Sequence, residues 1–271
     1  RHADLCSTIM CSPSATLTLW ARSWLAGDAS PDDVIDALQE WTPIHVVRAA
    51  DPAVANRTGL SWPEPESASV ATLLETVKNA TAAQGSTVRL VLPAPGDVRD
   101  LPAGGEFAGA ALDAGEGVII GTPGTAGIGV VPRRTGAATT WSVHSVSVPA
   151  DNGDRPGLGA AEYDMREAVR GAAETLQELQ RVSIDRPGFD ARAAIEAEIA
   201  ECTRHRYPHT LSERAQRVLD GADRVAAILT VAAGQPATAS VSATGAATSE
   251  DLLRPLWTTV RTARLAAYDS L

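Results

Sequence analysis

Gly117 to Arg134 reads GVIIGTPGTAGIGVVPRR. Two β-rich runs, GVIIG and GIGVVP, flank TPGTA. Pro123-Gly124 suits the centre of a type II turn, because proline presets φ and glycine accepts positive φ. A dinucleotide fingerprint needs strand, G-x-G-x-x-G, then helix. Here Gly124, Gly127 and Gly129 come in another order and a strand follows. A phosphate loop of the Walker type needs Gly-Lys-Ser/Thr, and this run has no lysine. The stretch therefore reads as a turn between strands.

Upstream, SATLTLWARSWLAG places Leu17, Trp20 and Trp24 on one helical face, with Gly27 as C-terminal cap. SPDDVIDALQEW opens a second helix with Ser30 as N-cap, Pro31 in the first position and Asp32-Asp33 in the first turn. Its face is Val34, Leu38 and Trp41, and such an aromatic stripe is expected in a core. PIHVVRA is a strand, a helix spans about 66–83, STVRLVLP is a strand, GEFAGAALDAG a short helix, and GVIIG a strand. That alternation predicts a small, mainly parallel sheet with right-handed crossovers. GIGVVP and TTWSVHSVSV extend it as antiparallel strands. His144, inside the last run, is expected to be a satisfied or exposed strand histidine.

PADNGDRPGLG, Pro149 to Gly159, stops both element types. Beyond it the spacing is helical only. Met165, Val169, Ala172, Leu176 and Leu179 mark one helix, and Asp190 caps a second with Ile195, Ile199 and Cys202 inward. Thr210 and Glu213 form a capping box for a third, with Leu211, Ala215, Val218, Ala222, Val225 and Leu229 on its core face. GQPATASVSATGAAT reads as a loop, and a fourth helix begins near Ser249 with a kink near Pro255. The expectation is an α/β (or α+β) domain over 1–150 and a four-helix, all-α domain over 151–271. The competing layout packs the first long helix on the sheet as one continuous unit.

The 271 residues are 44% hydrophobic and 21% charged, ordinary for a globular chain. No apolar run approaches the roughly 18 residues of a membrane span. The N-terminus lacks a compact apolar segment followed by small residues, which speaks against a signal peptide. Three cysteines, Cys6, Cys11 and Cys202, suit a reducing compartment better than a disulfide framework, so a cytoplasmic location is expected. The net charge of −10 disfavours nucleic acid as a partner. Of 23 basic residues only Lys78 is lysine, so chemistry requiring lysine has one candidate.

Two places merit attention as sites. Cys202, His205 and His209 carry soft and imidazole ligands at spacings that suit zinc. Against this, Pro208 and the Thr210 cap break the chain between the histidines, and Cys202 continues the Ile195–Ile199 apolar face. The second place follows from a parallel sheet, in which ligands bind beyond the carboxyl ends of the strands. The segments near 49–66, 93–106 and 121–126 would then share one edge. They would gather Arg48, Asp51, Asn56, Arg57, Asp97, Arg99, Asp100 and Glu106, with Arg57, Asp97, Arg99 and Asp100 as the ligand-binding candidates. Arginines clamp anions and carboxylates do acid–base work.

No G-x-S-x-G, H-E-x-x-H, EF-hand or C-x-x-C occurs, and no cofactor motif. The expected function is non-catalytic binding or regulation, with self-association through the apolar helical faces. The alternative is an enzyme acting on a small anionic substrate at the three strand-edge segments.

Overall fold

The computed structural model describes residues 12–64, 69–150, 155–185, 190–233 and 243–271. The chain divides into two compact units. One comprises Ser12–Asp154 with His205–Leu211, the other chiefly Arg155–Arg204 with Ser212–Ser270.

The sheet unit runs α1 (Pro13–Ala26), α2 (Pro31–Gln39), β1 (Ile44–Ala49), α3 (Pro52–Thr58), α4 (Val70–Ala80), β2 (Thr87–Val91), α5 (Glu106–Ala114), β3 (Gly117–Gly121), β4 (Ala126–Thr135) and β5 (Ala138–Ser147). The strands form one sheet in the order β1-β5-β4-β3-β2. TPGTA is a turn: the Thr125 N–H donates to the Thr122 carbonyl at 3.1 Å, and Gly124 has φ 79°. The Ser30 capping box and its first-position proline are present at α2.

The α/β class followed by helices holds, but the sheet is mixed. Only β1–β5 is parallel. β2–β3, β3–β4 and β4–β5 are antiparallel, which corrects the mainly parallel pairing expected from the alternation. Val91, the end of β2, pairs with Gly117, the start of β3. The connection between them therefore leaves and returns at one edge: residues 92–105 run out and α5 runs back. Strand–helix–strand alternation implies a parallel pair only when the helix makes the return trip alone. A second difference is α3, in a segment read as loop. Its Asp51 N-cap, Pro52 start and Gly59 cap are helix signals, but the helix is too short to show a period.

The two faces of the sheet are covered unequally. On the first, Leu17, Val34, Leu38, Val54, Leu73 and Val77 from α1–α4 pack on Val47, Val118, Ile120, Val130, Trp141 and Val143. On the second, α5 alone supplies Phe107 and Ala111 against Val91, Ile119, Val131 and Val146. Gly129 permits this, because a Cβ there would lie 2.2 Å from the Phe107 ring. Toward β1 that face carries Val46, Arg48 and Ser142 and is partly open.

Glu116, just before β3, is 5% exposed. Its carboxylate accepts from the Ser12 hydroxyl at 2.5 Å and the Ser14 N–H at 2.8 Å, at the N-terminus of α1. Burial raises its pKa even against these donors. The folded state thus holds this proton longer than the unfolded chain does. Its contribution to stability is full below the ordinary value of 4.5 and is lost as pH rises through the folded value. Glu116→Gln, which cannot ionise, is expected to gain on the native chain between about pH 4 and about pH 8. Urea midpoints at both pH values check this; a constant difference would contradict it.

The helical unit contains α6 (Leu158–Asp185), α7 (Ala191–Thr203), α8 (Glu213–Ala233) and α9 (Ala243–Asp269). α6, α8 and α9 pack on one another and α7 packs on α8. Ala161, Met165, Ala168 and Ala172 are the buried line of α6, and Val169, expected inward, is exposed. The loop expected over GQPATASVSATGAAT lies at 234–242 outside the described residues, and α9 begins at Ala243, ahead of Ser249. Ser212, not Thr210, caps α8, its hydroxyl accepting from the Ala215 N–H at 3.2 Å. Among the described residues no helix is long and apolar enough to cross a membrane.

Candidate functional site

Of the ligand-binding candidates from the sequence, Asp97, Arg99 and Asp100 are neighbours in one loop and Arg57 lies on another element. Arg57 ends α3, whose Val54 is in the first-face core. Asp97 and Arg99 pair within their own loop: Nε and Nη2 of Arg99 donate to the two Asp97 oxygens at 2.8 and 2.9 Å. Asp100 lies 4.0 Å from Arg89 of β2, along the second face. Because β2 runs opposite to β1 and β3, its connection leaves from the other edge of the sheet.

Cys202 is buried in the helical unit, whereas His205 and His209 belong to the segment that joins the sheet unit. His205 is buried and stacked on Trp41, with ring centroids 3.5 Å apart and planes 8° from parallel. Arg206 beside it donates from Nε to Glu40 at 2.9 Å, and Trp20 Nε1–H donates to the Arg206 carbonyl at 3.1 Å. The segment thus clasps α1 and α2. Among the described residues no group of three His, Cys, Asp or Glu side chains is placed to hold a metal ion.

What the fold does gather is the neighbourhood of His144, on the second face near the carboxyl end of the parallel pair. Arg48 lies directly opposite Ser142 in the β1–β5 register. The Ala50 N–H continues the pairing onto the Val143 carbonyl at 2.8 Å, which brings Asp51 alongside the end of β5. The Phe107 ring meets the His144 ring edge-on, centroids 6.2 Å apart, so Glu106 at the start of α5 is its neighbour.

The two buried sheet histidines differ in their hydrogen bonding. His45 uses both ring nitrogens. Trp141 Nε1–H donates to its Nδ1 at 3.0 Å, and its Nε2–H faces the carbonyls of Leu38 and Thr42 at 3.0 and 2.9 Å. It is a neutral, fully bonded core residue whose pKa burial lowers. His144 is 7% exposed but uses one nitrogen. The Ser142 Oγ lies 3.3 Å from the Val131 carbonyl and 3.1 Å from His144 Nε2; with its one proton assigned to the carbonyl, its oxygen accepts from Nε2–H. Nδ1 is buried with no hydrogen-bond partner among the described residues. Burial lowers the His144 pKa, with Glu106 and Asp51 opposing and Arg48 assisting. The ring is therefore neutral near pH 7, and in the tautomer with the proton on Nε2 its Nδ1 is a bare acceptor. The expectation of a satisfied or exposed strand histidine is corrected: it is buried and half satisfied. Alternation along TTWSVHSVSV could have put His144 on a face with Ser142, but not beneath a helix.

Two family models match the chain: "Rv1486c-like protein, N-terminal domain" over residues 14–155 and "Rv1486c-like protein, C-terminal domain" over residues 159–265. "Uncharacterized protein Rv1486c" of Mycobacterium tuberculosis (strain ATCC 25618 / H37Rv) is 38% identical over 284 residues, covering 97% of this chain and 98% of that one. Relatives in Mycobacterium leprae and Mycobacterium avium are 36% and 35% identical, each over 97% of this chain and 98% of their own. No solved structure matches.

Proposed function

We propose that this chain, which belongs to the Rv1486c-like protein family, is a non-catalytic binding or regulatory protein whose ligand seats on the second sheet face against His144. The observation that carries the reading is the buried, unpartnered Nδ1. A buried polar atom left without a partner costs about 1–3 kcal/mol. A fold that retains such a group gives up stability at a place where a ligand can restore it, and Arg48 and Glu106, both exposed and without an ion-pair partner among the described residues, stand nearby.

The hydroxyl–imidazole pair at 3.1 Å favours the rival reading, an enzyme, since serine and histidine at that distance can form a nucleophile and its base. With the proton on Nε2 the bond runs the wrong way for that role. That holds for the tautomer in which Ser142 gives its proton to the Val131 carbonyl and the imidazole donates. Of the two arginines that would clamp a small anionic substrate at 49–66, 93–106 and 121–126, Arg99 has its fork on Asp97 and Arg57 remains. Self-association through the helices belongs to the same proposal, with exposed Tyr163 and Val169 of α6 as contact candidates. Light scattering returning the monomer mass of 28.2 kDa would remove it.

His144→Leu tests the site without knowledge of the ligand. It deletes the unpartnered nitrogen, so stability is expected to hold or rise by up to about 1 kcal/mol. A loss above about 2 kcal/mol would make the imidazole a structural residue and end the proposal.

A further inference from the structure

We infer that residues 205–211 form a proton-sensitive clasp: His205 holds the segment on α1 and α2 more tightly when its ring carries a proton, and less tightly as pH rises. The inference does not depend on the His144 site. The chain leaves the helical unit after Arg204, joins the sheet unit over His205–Leu211 and returns at Ser212. The segment lies between the end of α7 and the start of α8, so a loosened clasp frees the chain at both helix ends. It is held by the ring of His205 on Trp41, the Arg206–Glu40 pair, the Trp20 bond to the Arg206 carbonyl, and a Thr210 hydroxyl 3.3 Å from Ser23 Oγ.

The setting of His205 favours a cation. Its ring lies flat on the face of the Trp41 indole, the electron-rich side that attracts positive charge. Its Nδ1 is 3.9 Å from Oε2 of Glu40, which caps the C-terminal end of α2, where helix carbonyls add to the pull. Cations oppose it from further away or are already paired. Arg206 Nε bonds Glu40 Oε1, and its backbone N–H reaches Oε2 only at 3.4 Å. Arg134 of β4 is 5.3 Å from the Trp41 ring centre. Because His205 is stacked on one face of the indole, Arg134 takes the other, and the indole separates the two charges. Arg204, the preceding residue, is paired with Glu201 at 2.7 Å. Charge–charge energy falls with distance, so the nearer carboxylate outweighs them. Burial also opposes the charged ring, and Glu40 offsets it. Asp33, in the first turn of α2, acts on His209 and Arg206, and bonds from Ser30 hold its carboxyl below the usual range, so its charge does not change near neutral pH.

Hydrogen–deuterium exchange of the full chain tests this on peptides covering 205–211, corrected for the intrinsic pH dependence of exchange. Protection is expected to be about tenfold greater at about pH 5.5 than at about pH 8. His205→Phe keeps a stacking ring and removes the proton site, so its ratio should be near one. Glu40→Gln keeps an acceptor for Arg206 and removes the charge, so its ratio should fall to about two- to threefold, and it carries the test where the phenylalanine disturbs folding. His209→Asn removes the exposed histidine of the same segment and should leave the response intact. Equal pH dependence in the native chain and His205→Phe would overturn the inference. So would a clasp that opens in acid, an undiminished response in Glu40→Gln, a response lost in His209→Asn, or exchange at the global unfolding rate in every form.

Discussion

Asp223→Ala is expected to cost about 3–5 kcal/mol. Asp223 on α8 and Arg264 on α9 form an ion pair of 2.5 Å, with only 2% of Arg264 exposed. Burial alone would lower the Arg264 pKa; Asp223 and then Tyr268 outweigh it and keep the guanidinium charged. Burial pushes the Asp223 carboxyl up against the pull of Arg264. Each charge is tolerated because of the other. Removing the carboxylate strands a buried cation, a costlier error than removing both partners. Asp223→Leu with Arg264→Met is therefore expected to recover most of the loss. Urea unfolding followed by helical circular dichroism measures both. A single-variant loss under about 1 kcal/mol would mean that water or another side chain supports Arg264.

Phe107→Ala is expected to cost about 3–5 kcal/mol, by loss of transfer energy and the cavity left over Gly129. It should also alter the acid limb of stability. The depressed His144 pKa contributes stability that is present above the ordinary value of 6.5 and is lost as pH falls through the folded value. With the ring removed, water reaches the imidazole and this contribution shrinks. The variant should thus lose less stability than the native chain between about pH 7 and about pH 5. Parallel pH profiles would contradict the assignment of Phe107 as the cover of His144.

Local chemistry of this fold was legible in the sequence, and long-range pairing was not. Pro123-Gly124, the Ser30 cap and the periodic faces of α1, α2 and α8 each depend on neighbours a few residues apart. The antiparallel β2–β3 pair depends on where residues 92–105 carry the chain, which no local signal encodes. At the candidate site, Arg48, Asp51 and Glu106 were legible as residues near strand ends. Arg57 and the Asp97–Asp100 group were added through the parallel sheet that the pairing corrects. His144 was passed over because its distinguishing property is an absence, a nitrogen with nothing to bond, and that emerges only when α5 lies over Gly129. The Cys202, His205 and His209 spacing showed ligand types, but not that His205 lies flat on Trp41.

The most direct test of His144 as a bare acceptor is a long-range nitrogen–proton NMR spectrum of its ring in the full chain at neutral pH. The geometry predicts a neutral ring with the proton on Nε2 and an unprotonated Nδ1 that is not strongly hydrogen-bonded. A proton on Nδ1, or an imidazolium, would contradict it.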